Sequence, residues 1–218
     1  MFLHGYLSCK ESFFNQIDFF SKNYRVIAPD LTGFGENVPL NSPYSLDDYV
    51  KDVLKLLDEL KIKKYHILAH SFGARIAIKL AKFDSRVDKI IITGGAGVKP
   101  KRSLKYYFKV YTYKFLKTVF KNKDFSYFGS SDYKRLNEIE KLSFKKIINE
   151  HLDEYLPRIN NKTLLIYGKN DTETPIYMAK KFKKGIKNSS LYVIDGNHFC
   201  FMTNYDEFNK LSFNFLKE

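Results

Sequence analysis

A repeated alternation of short apolar runs with longer helical patterns constrains this chain more than any other feature. Arg25 to Ala28, Tyr65 to Ala69, Lys89 to Thr93, Thr163 to Tyr167 and Ser190 to Ile194 read as strands, with Phe2 and Leu3 as the remnant of another at the start. These runs are nearly continuous in Val, Ile and Leu, as expected for a parallel sheet covered by helices on both faces. Between them, Leu46, Val50, Val53, Leu54, Leu57 and Leu60 recur at helical spacing, and Ser45 with Asp48 supplies a capping-box start. A second helix is expected from near Ser71, carrying Ile76, Ala77, Leu80 and Ala81 inward, and a last one carries Phe208, Leu211 and Phe215. The order predicts an α/β protein: a three-layer α/β/α sandwich around a mostly parallel sheet of about six strands, with right-handed crossovers.

The 218 residues suit one such core with one insertion. The insertion is expected at residues 99–157, where no parallel-sheet strand is evident, leaving residues 1–98 and 158–218 as the core. From Lys99 to Lys123 there are nine Lys or Arg and no Asp or Glu, with Tyr106, Tyr107, Phe108, Tyr111, Tyr113, Phe115 and Phe120 among them. A helical cap over the carboxyl ends of the strands is the expectation, because ligands bind there in open α/β sheets.

A formal charge of +13 raises the question of nucleic acid or membrane. Phosphate binding would account for the lysines and stacking for the aromatic rings, but neither explains the polar residues placed one by one at strand ends. No nucleic-acid partner is expected, and contact with a membrane surface is a minor alternative. Cys9 and Cys200 lack the spacing of a disulfide framework or thiolate metal site and read as reduced thiols. Neither a signal-peptide pattern nor 18 consecutive apolar residues occurs, so a cytoplasmic protein, monomer or homodimer, is expected.

The strongest local motif is YHILAHSFGARIAIKLA, a buried strand running straight into Ser71, Gly73 and a helix. A hydroxyl on such an elbow stands above the sheet, and small residues two positions to either side, here Ala69 and Gly73, let the chain approach itself closely. Leu3-His4-Gly5-Tyr6 ends the first strand. The backbone N–H groups of Tyr6 and Phe72 are candidate oxyanion donors, and His4 reads as a structural residue ordering the loop. Asp171 and His198 each lie just beyond a late strand. His198 can take the Ser71 proton if an aspartate holds its tautomer, and Asp171 is preferred over Asp195, which is only three residues from the histidine. The chain order is Ser, Asp, His.

Through LHGY, DLTGFG at 30–35, AHSFG at 69–73, YGKNDTETP at 167–175 and GNHF at 196–199, the chain resembles the α/β-hydrolase-fold serine hydrolases. The resemblance implies Ser71 as nucleophile, Asp171 as acid, His198 as base, the Tyr6 and Phe72 amides as oxyanion hole, and residues 30–35 as a structural loop. Ala69 and Asn197 stand where the family commonly has glycine. The most similar group is small, capped and cofactor-free, and contains esterases and hydrolases of carbon–carbon bonds beside a ketone; no metal is expected either. Ester hydrolysis is the first expectation, with C–C hydrolysis or amide and peptide hydrolysis by the same triad as alternatives. A fold relative that binds without catalysing is the alternative of another class. Since the family's HG loop follows its third strand, the first two strands are expected to be missing, with Arg25 to Ala28 at an exposed edge.

Overall fold

The computed structural model describes residues 1–101, 133 and 135–218. Five strands, β1 (Phe2–Leu3), β2 (Tyr65–His70), β3 (Val87–Thr93), β4 (Thr163–Gly168) and β5 (Ser189–Ile194), pair in parallel in that spatial order. Among the described residues the α-helices are α1 (Phe14–Ser21), α2 (Leu46–Glu59), α3 (Phe72–Phe83), α4 (Glu138–Asn149), α5 (Ile176–Gly185), α6 (Cys200–Thr203) and α7 (Tyr205–Lys217).

The strand register explains why the apolar runs are continuous. Leu3, Ala69, Ile92, Leu165 and Leu191 lie side by side across the sheet and face α2, α3 and α5. One residue back, Phe2, Leu68, Ile91 and Leu164 form the next row and face α1, α6 and α7 through Phe20, Phe201, Phe208 and Phe215. With helices on both faces, neither parity of the strand can be polar. The three-layer α/β/α sandwich is therefore the observed architecture. The Ser45–Asp48 capping box is present at α2, with Ser45 N–H donating to Asp48 Oδ2 at 2.9 Å.

The segment Arg25 to Ala28 departs from the expected strand. It runs beside β1 and accepts one hydrogen bond, from Phe2 N–H to Ile27 O at 2.8 Å, but forms no ladder. The physical reason is the two-residue length of β1, which offers too little backbone to pair with. A cavity of about 410 Å³, lined in part by Arg25, Ile27, His66 and Leu68, opens beside this segment at the amino-terminal ends of β2 and β3, away from the elbow.

Of residues 99–157, those described contain helix α4 and no strand. The aromatic residues from Tyr106 to Phe120 lie outside the described residues. Helix α4 is tied down from α3: Arg75 donates to the carbonyls of Ile147 and Glu150 at 2.8 Å each, and buried Lys79 pairs with Asp47 and Glu150. Its Ser143 hydroxyl accepts the Tyr44 N–H at 2.9 Å.

Helix α3 crosses β1 at Gly73, where an added Cβ would lie 2.1 Å from the Leu3 carbonyl oxygen. Backbone cannot yield there. Gly73→Ala should lower the unfolding free energy by about 1–3 kcal/mol, as overpacking does, despite alanine's better helix propensity. Urea denaturation of the two proteins measures the difference.

Candidate active site

Three strand ends converge on the site. Ser71 follows β2 with φ 49° and ψ −108°, a conformation that non-glycine residues rarely adopt. Backbone bonds hold it there: Ser71 N–H donates to Thr93 O, and Ser71 O accepts from Ala74 and Ala96, each at 3.1 Å. Ala69 sits within the regular pairing of β2, fully buried, so its methyl fills the core instead of crowding the elbow.

Asp171 lies three residues beyond β4, buried, and His198 four residues beyond β5. His198 Nδ1 donates to Asp171 Oδ2 at 2.9 Å, which leaves Nε2 with its lone pair free to accept a proton. Asp171 also accepts the N–H groups of Glu173 and Thr174 on Oδ1, at 2.9 and 2.8 Å, and the Thr174 hydroxyl on Oδ2 at 2.8 Å. Burial pushes this carboxyl up, but the bonds from His198 and Thr174 outweigh it and hold it below the ordinary value. Asp195, the rival acid, is exposed. Asn197 keeps the loop in shape by accepting Phe199 N–H on its side chain at 2.9 Å.

Tyr6 and Phe72 stand on opposite sides of this corner with their rings in edge contact, centroids 5.6 Å apart. The Tyr6 ring also meets Phe34 at 5.0 Å and Phe144 of α4 at 5.1 Å. Burial and the nearby Glu140 carboxylate push its phenol up to about 12. Neither the Tyr6 nor the Phe72 N–H donates to an acceptor among the described residues. His4 is structural, as expected: its Nδ1–H donates to Gly5 O at 2.8 Å and Nε2 accepts Leu31 N–H at 2.9 Å, joining the first loop to residues 30–35.

Three neighbours were not singled out from the sequence. Thr174 braces the aspartate. The Glu173 carboxylate lies 3.5 Å from His198 Nε2. His70, buried against His198 with ring centroids 4.7 Å apart, donates from Nε2 to the His198 carbonyl at 3.1 Å, while its Nδ1 has no partner. The only available signal was its position immediately before the elbow.

The α/β hydrolase fold family matches residues 1–131. The chain belongs to that family. It is 28% identical over 221 residues to 2-hydroxy-6-oxononadienedioate/2-hydroxy-6-oxononatrienedioate hydrolase 2 of Pseudomonas putida, covering 89% of this chain and 77% of the relative. It is 29% identical over 210 residues to the human serine hydrolase BPHL, covering 90% and 70%. A crystal structure of the meta-cleavage product hydrolase of Pseudomonas fluorescens IP01 superposes with a TM-score of 0.73 at 25% identity, over 99% of this chain and 89% of that one. This α/β hydrolase is thus a hydrolytic enzyme of the Ser/His/Asp type for small molecules. Among its described residues no helix is long and apolar enough to cross a membrane.

Burial, with the neighbouring His198 adding to it, lowers the His70 imidazole from 6.5 to about 3. The unfolded chain takes up this proton near pH 6.5 and the folded protein does not until far lower. The fold therefore keeps its full stability above pH 6.5 and loses it as the pH falls, by up to about 1.4 kcal/mol per pH unit from this group. In His70→Asn that slope should flatten, as urea denaturation between pH 7 and 5 would measure.

Proposed function

We propose that this α/β hydrolase cleaves a small carbonyl compound through an acyl-enzyme on Ser71. In this reading His198 is the base, Asp171 its partner, the Tyr6 and Phe72 amides form the oxyanion hole, and residues 99–157 form the cap over the site. The 2.9 Å bond from His198 Nδ1 to Asp171, with a serine on a strained strand-to-helix elbow whose preceding residue, His70, bonds to the His198 carbonyl, carries the proposal. That bond fixes the tautomer with Nε2 as acceptor. Ser71 Oγ attacks the substrate carbonyl, Nε2 takes its proton, and the two unpaired amides stabilise the oxygen anion. Collapse breaks the bond to the departing group, which receives the proton from His198. Water, deprotonated by the same nitrogen, then releases the acid and regenerates Ser71.

The bond proposed is a carbon–carbon bond beside a ketone. The Pseudomonas putida relative is named for a hydroxy-oxo-dienedioate, a compound without ester or amide, so its hydrolysis must break a C–C bond at the oxo carbon. The departing carbon then takes the His198 proton where an ester would release an alcohol. Ester hydrolysis is the second reading. It is favoured by the carboxylate flanking His198 Nε2, which repels the carboxylate-bearing fragment that C–C cleavage of a dioate would release, whereas a protonated alcohol leaves uncharged.

A panel of nitrophenyl esters, dienoate ketones and aminoacyl amides, run beside Ser71→Ala, tests the reading. Turnover by the wild type should fall at least about 10³-fold in Ser71→Ala, and a fluorophosphonate should label Ser71. Unlabelled wild type, or turnover that survives Ser71→Ala, overturns the nucleophile assignment.

A further inference from the structure

Two observations place a second carboxylate on the reacting side of the histidine. Glu173 N–H donates to Asp171 Oδ1 at 2.9 Å, so the backbone that carries the side chain is fixed by the same aspartate that orients His198. From there Glu173 Oε2 reaches to 3.5 Å from His198 Nε2, the nitrogen facing away from Asp171. The imidazole is the sole ion-pairing neighbour of Glu173 among the described residues. The Asp171 loop thus presents one carboxylate to each ring nitrogen, one buried and bonded, the other 62% exposed.

We infer that Glu173 is a specificity-determining residue that selects the charge of the departing group. This rests on the proposed roles of Ser71 and His198. Nε2 must hand its proton to the departing atom, so that atom comes within hydrogen-bond distance of Nε2 and therefore within a few ångströms of the Glu173 carboxylate. A negative charge on the departing fragment is repelled there in both ground and transition states, and a positive charge is attracted. The substrate class assigned is a carbonyl compound whose departing fragment is neutral or cationic, in contrast to the dioate in the name of the Pseudomonas putida relative. Because Glu173 is exposed, solvent screens the effect, which should amount to roughly threefold to tenfold per unit charge.

Three aryl butyrates that differ in leaving-group charge test this: the 4-(trimethylammonio)phenyl ester, its neutral isostere 4-tert-butylphenyl butyrate, and 4-carboxyphenyl butyrate. Each kcat/KM is divided by the rate of alkaline hydrolysis of the same ester to remove intrinsic reactivity. The wild type should prefer cationic to neutral to anionic, and 1 M salt should compress that order. Glu173→Gln should narrow the cationic-to-anionic ratio by about 10-fold or more, whereas Glu173→Asp, which keeps the charge, should retain part of the preference. Ser71-dependent turnover with the same ratio in wild type and Glu173→Gln overturns the inference alone. Absence of Ser71-dependent turnover of all three esters, together with absence of fluorophosphonate labelling, overturns the proposed function and the inference with it.

Discussion

The rest of the site depends on holding Ser71 in a backbone conformation that it would not adopt alone. A non-glycine residue at φ 49° and ψ −108° costs about 1–3 kcal/mol. The Ser71 amide and carbonyl bond to Thr93, Ala74 and Ala96, so the ends of β2 and β3 and the first turn of α3 must all be in place before the elbow can exist. Gly73 then lets α3 lie directly on the Leu3 carbonyl, which brings the end of β1, and with it Tyr6, next to Phe72. The proposed nucleophile and both proposed oxyanion donors are thus consequences of one close crossing of helix over strand.

Parallel pairing supplies the remaining convergence. All five strands point the same way, so whatever follows each of them emerges along one rim of the sheet. Asp171 after β4 and His198 after β5 meet because these two strands are neighbours in register from Thr163 to Gly168. His70 fastens the histidine loop from below through the His198 carbonyl, joining the end of β2 to a segment 128 residues later. Helix α4 packs against Tyr6 through Phe144, while Arg75 and Lys79 anchor the far end of that helix to α3. One helix therefore carries the serine elbow at its start and holds α4 along its length.

Much of this could be read along the chain because the signals are local. The apolar runs of β2 to β5 and the stripe of α2 are each set by a few consecutive residues, and AHSFG names both an elbow and its hydroxyl. Spacing favours Asp171 over Asp195 as partner of His198; the first is buried with a bond to His198 and the second is exposed. Arg25 to Ala28 misled because strand character is local while a ladder needs a partner, and β1 supplies only two residues. His70, Thr174 and Glu173 carry no comparable signal in the sequence for a related reason. What each does depends on where a loop turns its side chain, and no periodicity encodes that.

The sequence by itself determined the layered α/β class, the order in which Ser71, Asp171 and His198 occur, and which residues could be buried on both faces of the sheet. These follow from apolar spacing and from the chemistry of single side chains. Only the tertiary structure decided that Asp171 is held below its ordinary acidity range by its bonds from His198 and Thr174, that His70 is kept neutral by burial, and that Glu173 stands at the free nitrogen of His198. Charge and proton affinity depend on which groups come within a few ångströms of one another, and in this fold those groups sit on loops that follow different strands.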